Sequence, residues 1–445
     1  MYKKALAGLA GIALTIILAT PAAADTWRDE QYWLDDYGFT TAWETSMGEG
    51  VTVGIIDTGI DASHQDLSGQ VVGGYDASGT SGTNGTTPMG PDPNHGTMVA
   101  SLLAGHGHGD PPEDDEDDEN TEDDEDKDKD EDEDTAEEEE LAPIDEFGTD
   151  GILGTAPKAE LLSVSVLLDD SAPNVPSVDQ QIANGMTWLV DQGADVINIS
   201  LASSAQDWPE SWDDAFLYAE EQDVVVVVAA GNRASGSNVV GAPATIPGVL
   251  TVAGLDKEGN ASWDASTEGI TIGVAAPADP LIGALPDDEY TTWSGTSGAA
   301  PLVSGLAALI RAEHPEMSAH QVIQCILETA QDTGEAGQDN LYGRGIVDAA
   351  AAVNADVPNV DSNPMGSIAE WITLHRRGEI EDTSSTEDTR EVAGPIDYPT
   401  DLPVAAQLED SPTTLQATVV IGFAILLLAV IVLTVLFARQ RNRHE

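Results

Sequence analysis

Four short stretches carry residue types that together can cleave an acyl bond. Asp57 closes the apolar run Ile-Ile-Asp-Thr-Gly, and His95 stands in Asn-His-Gly-Thr-Met-Val-Ala-Ser. Asn232 follows Val-Val-Val-Ala-Ala-Gly, and Ser297 lies in Trp-Ser-Gly-Thr-Ser-Gly-Ala-Ala-Pro. A serine hydroxyl is a weak nucleophile until a base takes its proton. Histidine suits that role, and a carboxylate behind it fixes the imidazole tautomer and stabilises the imidazolium. The expected roles follow: Ser297 attacks a carbonyl, His95 is the general base and Asp57 orients it. The Asn232 amide and the Ser297 backbone N–H would donate to the oxyanion, and losing one such donor typically costs about 3–4 kcal/mol.

These residues need a frame that holds them together across the chain. Val51 to Ile56 is a continuous apolar run, which reads as a strand buried on both faces of a parallel sheet. Similar runs lie at Leu161 to Leu167, Val196 to Leu201, Val224 to Ala230 and Gly248 to Ala253. Helical patterns fall between them, at Val178 to Gln192 and Trp212 to Gln222. This alternation predicts an α/β sandwich around a parallel sheet. In such sheets the active site gathers at the carboxyl ends of the strands, and Asp57 and Asn232 both stand just past predicted strand ends. The apolar run after Ser297 predicts a helix whose N-terminus points at the hydroxyl and favours negative charge there.

With the order Asp, His, Asn, Ser and these flanking motifs, the segment from about Gly50 to Val353 resembles the subtilisin-like serine proteases, the subtilases. More narrowly it resembles the mycosins, the membrane-anchored subtilases associated with type VII secretion in actinobacteria. The aromatic stretch around Gln31-Tyr-Trp-Leu, the insertion after the histidine and the C-terminal apolar segment carry that narrower likeness. The resemblance implies a three-layer sandwich with a central parallel sheet. It also implies that Ser200, Leu201 and Ala202 pair with an extended substrate, and that Ala229, Ala230 and Gly231 wall a pocket for a medium apolar side chain. Two positions depart from the family. Gly298 follows the nucleophile where subtilases usually carry Met and mycosins often Phe, which is expected to loosen the floor there. Mycosins often carry cysteine pairs, whereas Cys325 is the single cysteine of this chain. It falls in an apolar helical pattern and is expected to be a buried structural thiol.

The ends of the chain read as targeting segments. Residues 1–24 have a basic start, an apolar run and an Ala-x-Ala site, as a signal peptide does. Leu415 to Phe437 holds no charge and is long enough to span a bilayer. Arg439, Arg441 and Arg443 follow it and should stay in the cytoplasm. The expected organisation is thus a signal peptide (1–24), an extension packed on the catalytic domain (25–50) and a catalytic domain (51–355). A Pro/Ser/acidic linker (356–414), a transmembrane helix (415–437) and a basic tail (438–445) would complete it, placing the catalytic domain outside the plasma membrane. Too short for a separate inhibitory prodomain, the extension is not expected to need removal for activity.

Charge narrows the partners. The chain carries 80 acids against 16 bases, a net −64. Glu113 to Glu140 alone holds 22 acids and two lysines, which leaves 58 acids against 14 bases, or −44, for everything else. The whole surface is therefore acidic, and nucleic acid is disfavoured because its phosphates would be repelled. Within the insertion at 106–149 the acidic core cannot bury enough apolar surface to fold and should be a solvated loop. It lacks the spaced Asp/Asn/Gly/Glu pattern of a calcium loop, so no metal or cofactor is expected. His64 is assigned to a structural loop, His106 and His108 to the solvated loop, and Asp61 and Asp66 to the surface.

Protein or peptide substrates are the expected partners, together with membrane components of a type VII secretion system. The competing reading is a structural docking component of that machinery with little turnover. A complete set of Asp57, His95, Asn232 and Ser297 favours the enzyme, since a scaffold needs none of them. A nutritional secreted protease is disfavoured by the C-terminal span. The excess of acids also suggests adaptation to high salt, where self-repulsion is screened within a few ångströms. Thermal unfolding followed by circular dichroism should then show the midpoint rising from low to molar salt; unfolding on addition of salt would sink that reading.

Overall fold

Apolar runs that alternate with amphipathic ones produce one sheet with a helical layer on each face. The computed structural model describes residues 26–80, 84–109, 147–169 and 174–376. The predicted leader, the acidic core of the insertion, residues 377–414, the predicted span and the basic tail lie outside the described residues. All described residues fall in the first of two compact units, Met1–Glu379. None of the described helices is long and apolar enough to cross a membrane.

In chain order the strands are β1 (Thr52–Asp57), β2 (Val71–Asp76), β3 (His106–His108), β4 (Asp150–Leu153), β5 (Glu160–Ser165) and β6 (Val196–Ile199), then β7 (Val225–Ala229), β8 (Leu250–Asp256), β9 (Ile272–Asp279), β10 (Leu281–Leu285) and β11 (Glu289–Trp293). The helices are α1 (Thr26–Asp29), α2 (Trp33–Asp36), α3 (Phe39–Ala42), α4 (His95–Ala104) and α5 (Val178–Asp191), then α6 (Asp213–Glu221), α7 (Thr296–Glu313), α8 (Ala319–Thr329), α9 (Ala349–Val353) and α10 (Ile368–His375). Seven strands form the main sheet in the order β2-β5-β1-β6-β7-β8-β9. Every neighbouring pair in it is parallel. Two small antiparallel pairs, β10–β11 and β3–β4, lie outside it.

Successive strand residues face opposite cores. Val225, Val227 and Ala229 of β7 join Val53 and Ile55 in the core that includes buried residues of α4, α7 and α8. Val226 and Val228 face the other core, with Ile182 and Met186 of α5 and Phe216 of α6. This is the three-layer α/β sandwich around a parallel sheet that the hydrophobic runs predict. The strand order reverses beside β1, with β5 on one side and β6 on the other. Such a switch point opens a crevice past the carboxyl ends of the strands.

The N-terminal extension lies against the segment that closes the acidic insertion. Arg28 donates to the carbonyls of Gly148, Asp150 and Gly151 at 3.0–3.1 Å. Gln31 is buried and pairs both ways with the backbone of Leu153: its Nε2 donates to the carbonyl at 2.8 Å and its Oε1 accepts the N–H at 2.9 Å. Trp33 and Phe39 are fully buried, and Trp43 Nε1 donates to Thr155 O at 3.0 Å. With no disulfide available, apolar burial and these backbone contacts hold the extension.

The catalytic domain runs further than its expected end at 355. Residues 357–376 pack on it and close with α10, so the linker expected from 356 does not begin there. Ser367 caps the helix by accepting from Glu370 N. The Glu220 carboxylate receives Ser367 Oγ at 2.6 Å and Ile368 N at 2.9 Å. Trp371 lies 4.3 Å from Trp208 between ring centroids, and Arg376 Nε donates to Asp213 Oδ2 at 2.8 Å. The Pro- and Ser-rich composition that reads as linker conceals a capped turn and an anchoring tryptophan. Removing the paired amide at the other end of the domain tests the extension. Gln31→Ala leaves a buried N–H and a buried carbonyl unpaired and should destabilise the fold by roughly 3 kcal/mol, read as a lower urea midpoint.

Candidate active site

Asp57, His95, Asn232 and Ser297 reach one place from four elements. Asp57 ends β1, His95 opens α4, Asn232 follows β7 and Ser297 lies in the first turn of α7. His95, Asn232 and Ser297 line a cleft of about 380 Å³ at the carboxyl ends of the sheet strands, together with Thr58, Ser200 and Trp293, and Asp57 lies buried behind His95. No residue of the N-terminal extension lines the cleft among the described residues.

Asp57 is fully buried. His95 Nδ1–H donates to its Oδ1 at 2.8 Å and Oδ2 at 2.9 Å. An ionised carboxylate only accepts, so the contact fixes the proton on Nδ1 and leaves Nε2 as the basic nitrogen. Thr58 N also donates to Asp57 Oδ1, at 2.7 Å, and Gly96 N donates to Thr58 Oγ1 at 3.2 Å, tying the strand end to the start of α4. Burial alone would pull the His95 pKa down. Attraction to Asp57, the hydrogen bond to it and the charge of Asp92 outweigh burial and hold it above its ordinary 6.5.

Asn232 is aimed by the helix that carries the nucleophile. Its Oδ1 accepts from Thr296 N at 2.8 Å and Thr296 Oγ1 at 2.9 Å. The amide oxygen is thus spoken for, and Nδ2 is left to donate. Gly295 makes room for it: a Cβ there would lie 3.0 Å from Asn232 Nδ2, and φ of +152° disfavours any side chain.

Ser297 is bound reciprocally to Ser200. Pro301 lies inside α7 and has no N–H, so the Ser297 carbonyl has no helical partner at that position. Ser200 Oγ fills the gap, donating to Ser297 O at 2.8 Å. In return Ser297 Oγ donates to Ser200 O at 2.9 Å. Asn198 Nδ2 donates to Ser200 Oγ at 2.9 Å and fixes it from behind. In this state no hydrogen bond joins Ser297 Oγ to His95 among the described residues.

Most of the expected wall residues face the cleft. Ser200, Leu201, Ala202, Ala229 and Gly231 line it. Ala230 does not: alternation along β7 and its continuation turns it into the core beneath α5 and α6, fully buried. Its carbonyl contributes instead, accepting from Thr267 Oγ1 at 2.7 Å.

Three other expectations are corrected here. Gly298 does not loosen the floor, because Leu281, Leu102 and Trp293 fill the space beside it. A Cβ built there would run into Leu281 Cδ1 and lie 3.2 Å from the Trp293 ring. Asp66 is not at the surface but fully buried, and it accepts from His108 Nδ1 at 2.7 Å, Ile152 N at 2.8 Å and Tyr290 Oη at 2.9 Å. His106 and His108 belong to β3, paired with β4, not to a solvated loop. Asp61 is half-buried and holds Ser63 and the Asp287 N–H. His64 is buried, accepts from Asp66 N at 3.1 Å and keeps a structural place. Cys325 is buried, as expected. No cluster of metal-ligand type occurs among the described residues.

Thr296, Asp92 and Trp293 were not singled out from sequence. Thr296 is next to the nucleophile, Asp92 lies between two prolines three residues before His95, and Trp293 opens the serine motif. The Trp293 ring meets His95 edge-on, 5.8 Å away at 80°.

The subtilase family model matches residues 48–345. The chain belongs to the subtilase family. This subtilase is 32% identical over 312 residues to thermitase of Thermoactinomyces vulgaris, an alignment covering 70% of this chain and 91% of thermitase. It is 34% identical over 311 residues to subtilisin DY of Bacillus licheniformis, covering 68% and 91%. With fervidolysin of Fervidobacterium pennivorans it shares 29% over 358 residues, but the match spans only 44% of that longer protein. Among solved structures it resembles MycP1, described as an essential component of the type VII (ESX-1) secretion system (TM-score 0.55, 28% identity, 76% of this chain and 91% of that one). It also resembles the MycP3 protease from the type VII (ESX-3) secretion system (TM-score 0.56, 27% identity, 75% and 90%). It is a subtilisin-like serine protease related to the mycosins.

The His95 titration tests the electrostatics directly. Followed by the Cε1 proton in NMR, His95 should titrate above 6.5, and Asp92→Asn should move it to lower pH. A midpoint unchanged in Asp92→Asn would rule out that contribution.

Proposed function

We propose that this chain is an extracytoplasmic, membrane-anchored serine endopeptidase that uses Asp57, His95 and Ser297 as its triad and Asn232 in its oxyanion hole. The observation that carries the proposal is the bond from His95 to the buried Asp57, with His95 sharing one cleft with Ser297 and Asn232. In the reaction Ser297 Oγ attacks the scissile carbonyl carbon while His95 Nε2 takes its proton. Asp57 stabilises the resulting imidazolium. Asn232 Nδ2 and the Ser297 N–H, a first-turn amide that no helical carbonyl can reach, donate to the oxyanion. His95 then protonates the leaving amine, and water releases the acyl-enzyme by the same route in reverse.

The segment Ser200 to Ala202 would receive the substrate as an added strand, with the residue before the scissile bond directed at Ala229 and Gly231. Small walls favour a medium apolar side chain there. The apolar stretch at 415–437 supports the membrane anchor, and the likeness to MycP1 and MycP3 supports work alongside a type VII secretion system. Its substrates would then be extended segments of secreted proteins.

Labelling with a fluorophosphonate probe tests this reading. The full-length chain should be labelled at low or molar salt, and Ser297→Ala should not. The second reading, a docking component, draws on the Ser297 hydroxyl being bound to Ser200 and not to His95. Absence of labelling in folded protein at every salt concentration would move the conclusion there.

A further inference from the structure

The cleft holds one charged group that the triad does not account for. Asp92 is exposed and lines the same cleft as His95 and Ser297. Its carboxylate makes no hydrogen bond or ion pair among the described residues. The buried acids elsewhere are all engaged: Asp57 by His95, Asp66 by His108 and Tyr290, Asp213 by Trp208 and Arg376. Asp92 is also the only carboxylate lining the cleft among the described residues, and no lysine or arginine lines it. Pro91 and Pro93 flank it, and their fixed φ angles restrict how far its backbone can move away. Among the described residues that line the cleft, only His95 in its protonated form could offset this charge.

Substrate geometry says which incoming group would do so. Successive side chains of an extended peptide point to opposite sides. If the residue before the scissile bond enters between Ala229 and Gly231, the one before that turns away from them, and the carboxylate in the cleft that can receive it is Asp92, three residues before His95. We propose that Asp92 selects a cationic side chain, Arg or Lys, at this second position on the amino side of the scissile bond. This rests on the proteolytic reading of the site. The net charge of −64 draws cationic substrates in general, but only a carboxylate in the cleft ties the preference to one position. A positive side chain beside His95 would also oppose formation of the imidazolium, and Asp92 offsets that repulsion.

Two peptides that differ only at that position, Arg against Glu, should be competed in one tube against the full-length chain. Both use the same His95, so its ionisation cancels in the ratio of kcat/KM. The competition runs across a salt series starting at the lowest concentration where circular dichroism shows the fold intact. The wild-type chain should prefer Arg by about tenfold there, as expected for an exposed charge that attracts one peptide and repels the other. The preference should shrink as salt rises, fall to about one in Asp92→Asn and invert in Asp92→Lys. Fluorophosphonate labelling of the same samples separates the two ways of failing. A labelled enzyme with no preference, or one whose preference survives Asp92→Asn, overturns the role of Asp92 and leaves the protease reading standing. A folded wild-type chain that is neither labelled nor active on either peptide overturns both.

Discussion

Helix α7 enters the interior with its amino end, and fourteen of its eighteen residues are buried, so water cannot satisfy its polar groups. An unpaired buried N–H or carbonyl costs about 1–3 kcal/mol, and two would arise in the first turn, at Thr296 N and Ser297 O. Side chains from elsewhere meet both. Asn232 Oδ1 takes Thr296 N, and Ser200 Oγ serves the carbonyl freed by Pro301. The bonds that let α7 lie buried are also the ones that bring Asn232 and Ser200 to the nucleophile. Stability and site geometry therefore share the same atoms, and a change at Asn232 or Ser200 acts on both.

Two buried carboxylates show the same physics with different outcomes. Asp57 and Asp66 each accept from the Nδ1 of a histidine and from at least one backbone N–H. Such contacts replace the lost hydration of a buried charge. Beyond His95 lies an open cleft with a hydroxyl in it. Around Asp66 the neighbours are Tyr290, which stacks on Trp27 of the extension at 5.8 Å, and Ile152 of β4. One pair is available to a substrate; the other joins the extension, the base of the insertion and the β10–β11 hairpin.

The parts of the fold and site carried by continuous local patterns were legible in the sequence. Apolar runs marked β1, β5, β6, β7 and β8 within a few residues, and the motifs around Asp57, Asn232 and Ser297 placed each at a strand or helix end. What escaped was set by distant partners. The burial of Asp66 depends on His108, Ile152 and Tyr290, up to 224 residues away. Ala230 sits beside cleft residues in sequence, yet strand alternation turns it inward. The floor beside Gly298 is filled by Leu281 and Trp293, which no property of the glycine itself announces. The packing of 357–376 rests on Trp371 meeting Trp208 and on Glu220 receiving Ser367 and Ile368, pairings that composition cannot display.

The resting position of Ser297 Oγ bears on the choice between protease and docking component. Its bond to Ser200 O must break before the hydroxyl can face His95. A neutral hydrogen bond is worth about 1 kcal/mol net, and moving the hydroxyl takes rotation about a single side-chain torsion between staggered wells. The carbonyl of Ser200 keeps lone pairs that an incoming strand can engage, since Ser200 to Ala202 line the cleft. A bound peptide that donates to this stretch would compete with Ser297 for Ser200 O and release the hydroxyl toward the base. On this argument the resting contact costs the enzyme little, and substrate binding itself would remove it. A docking component would gain nothing from keeping His95 fixed in the tautomer that leaves Nε2 basic.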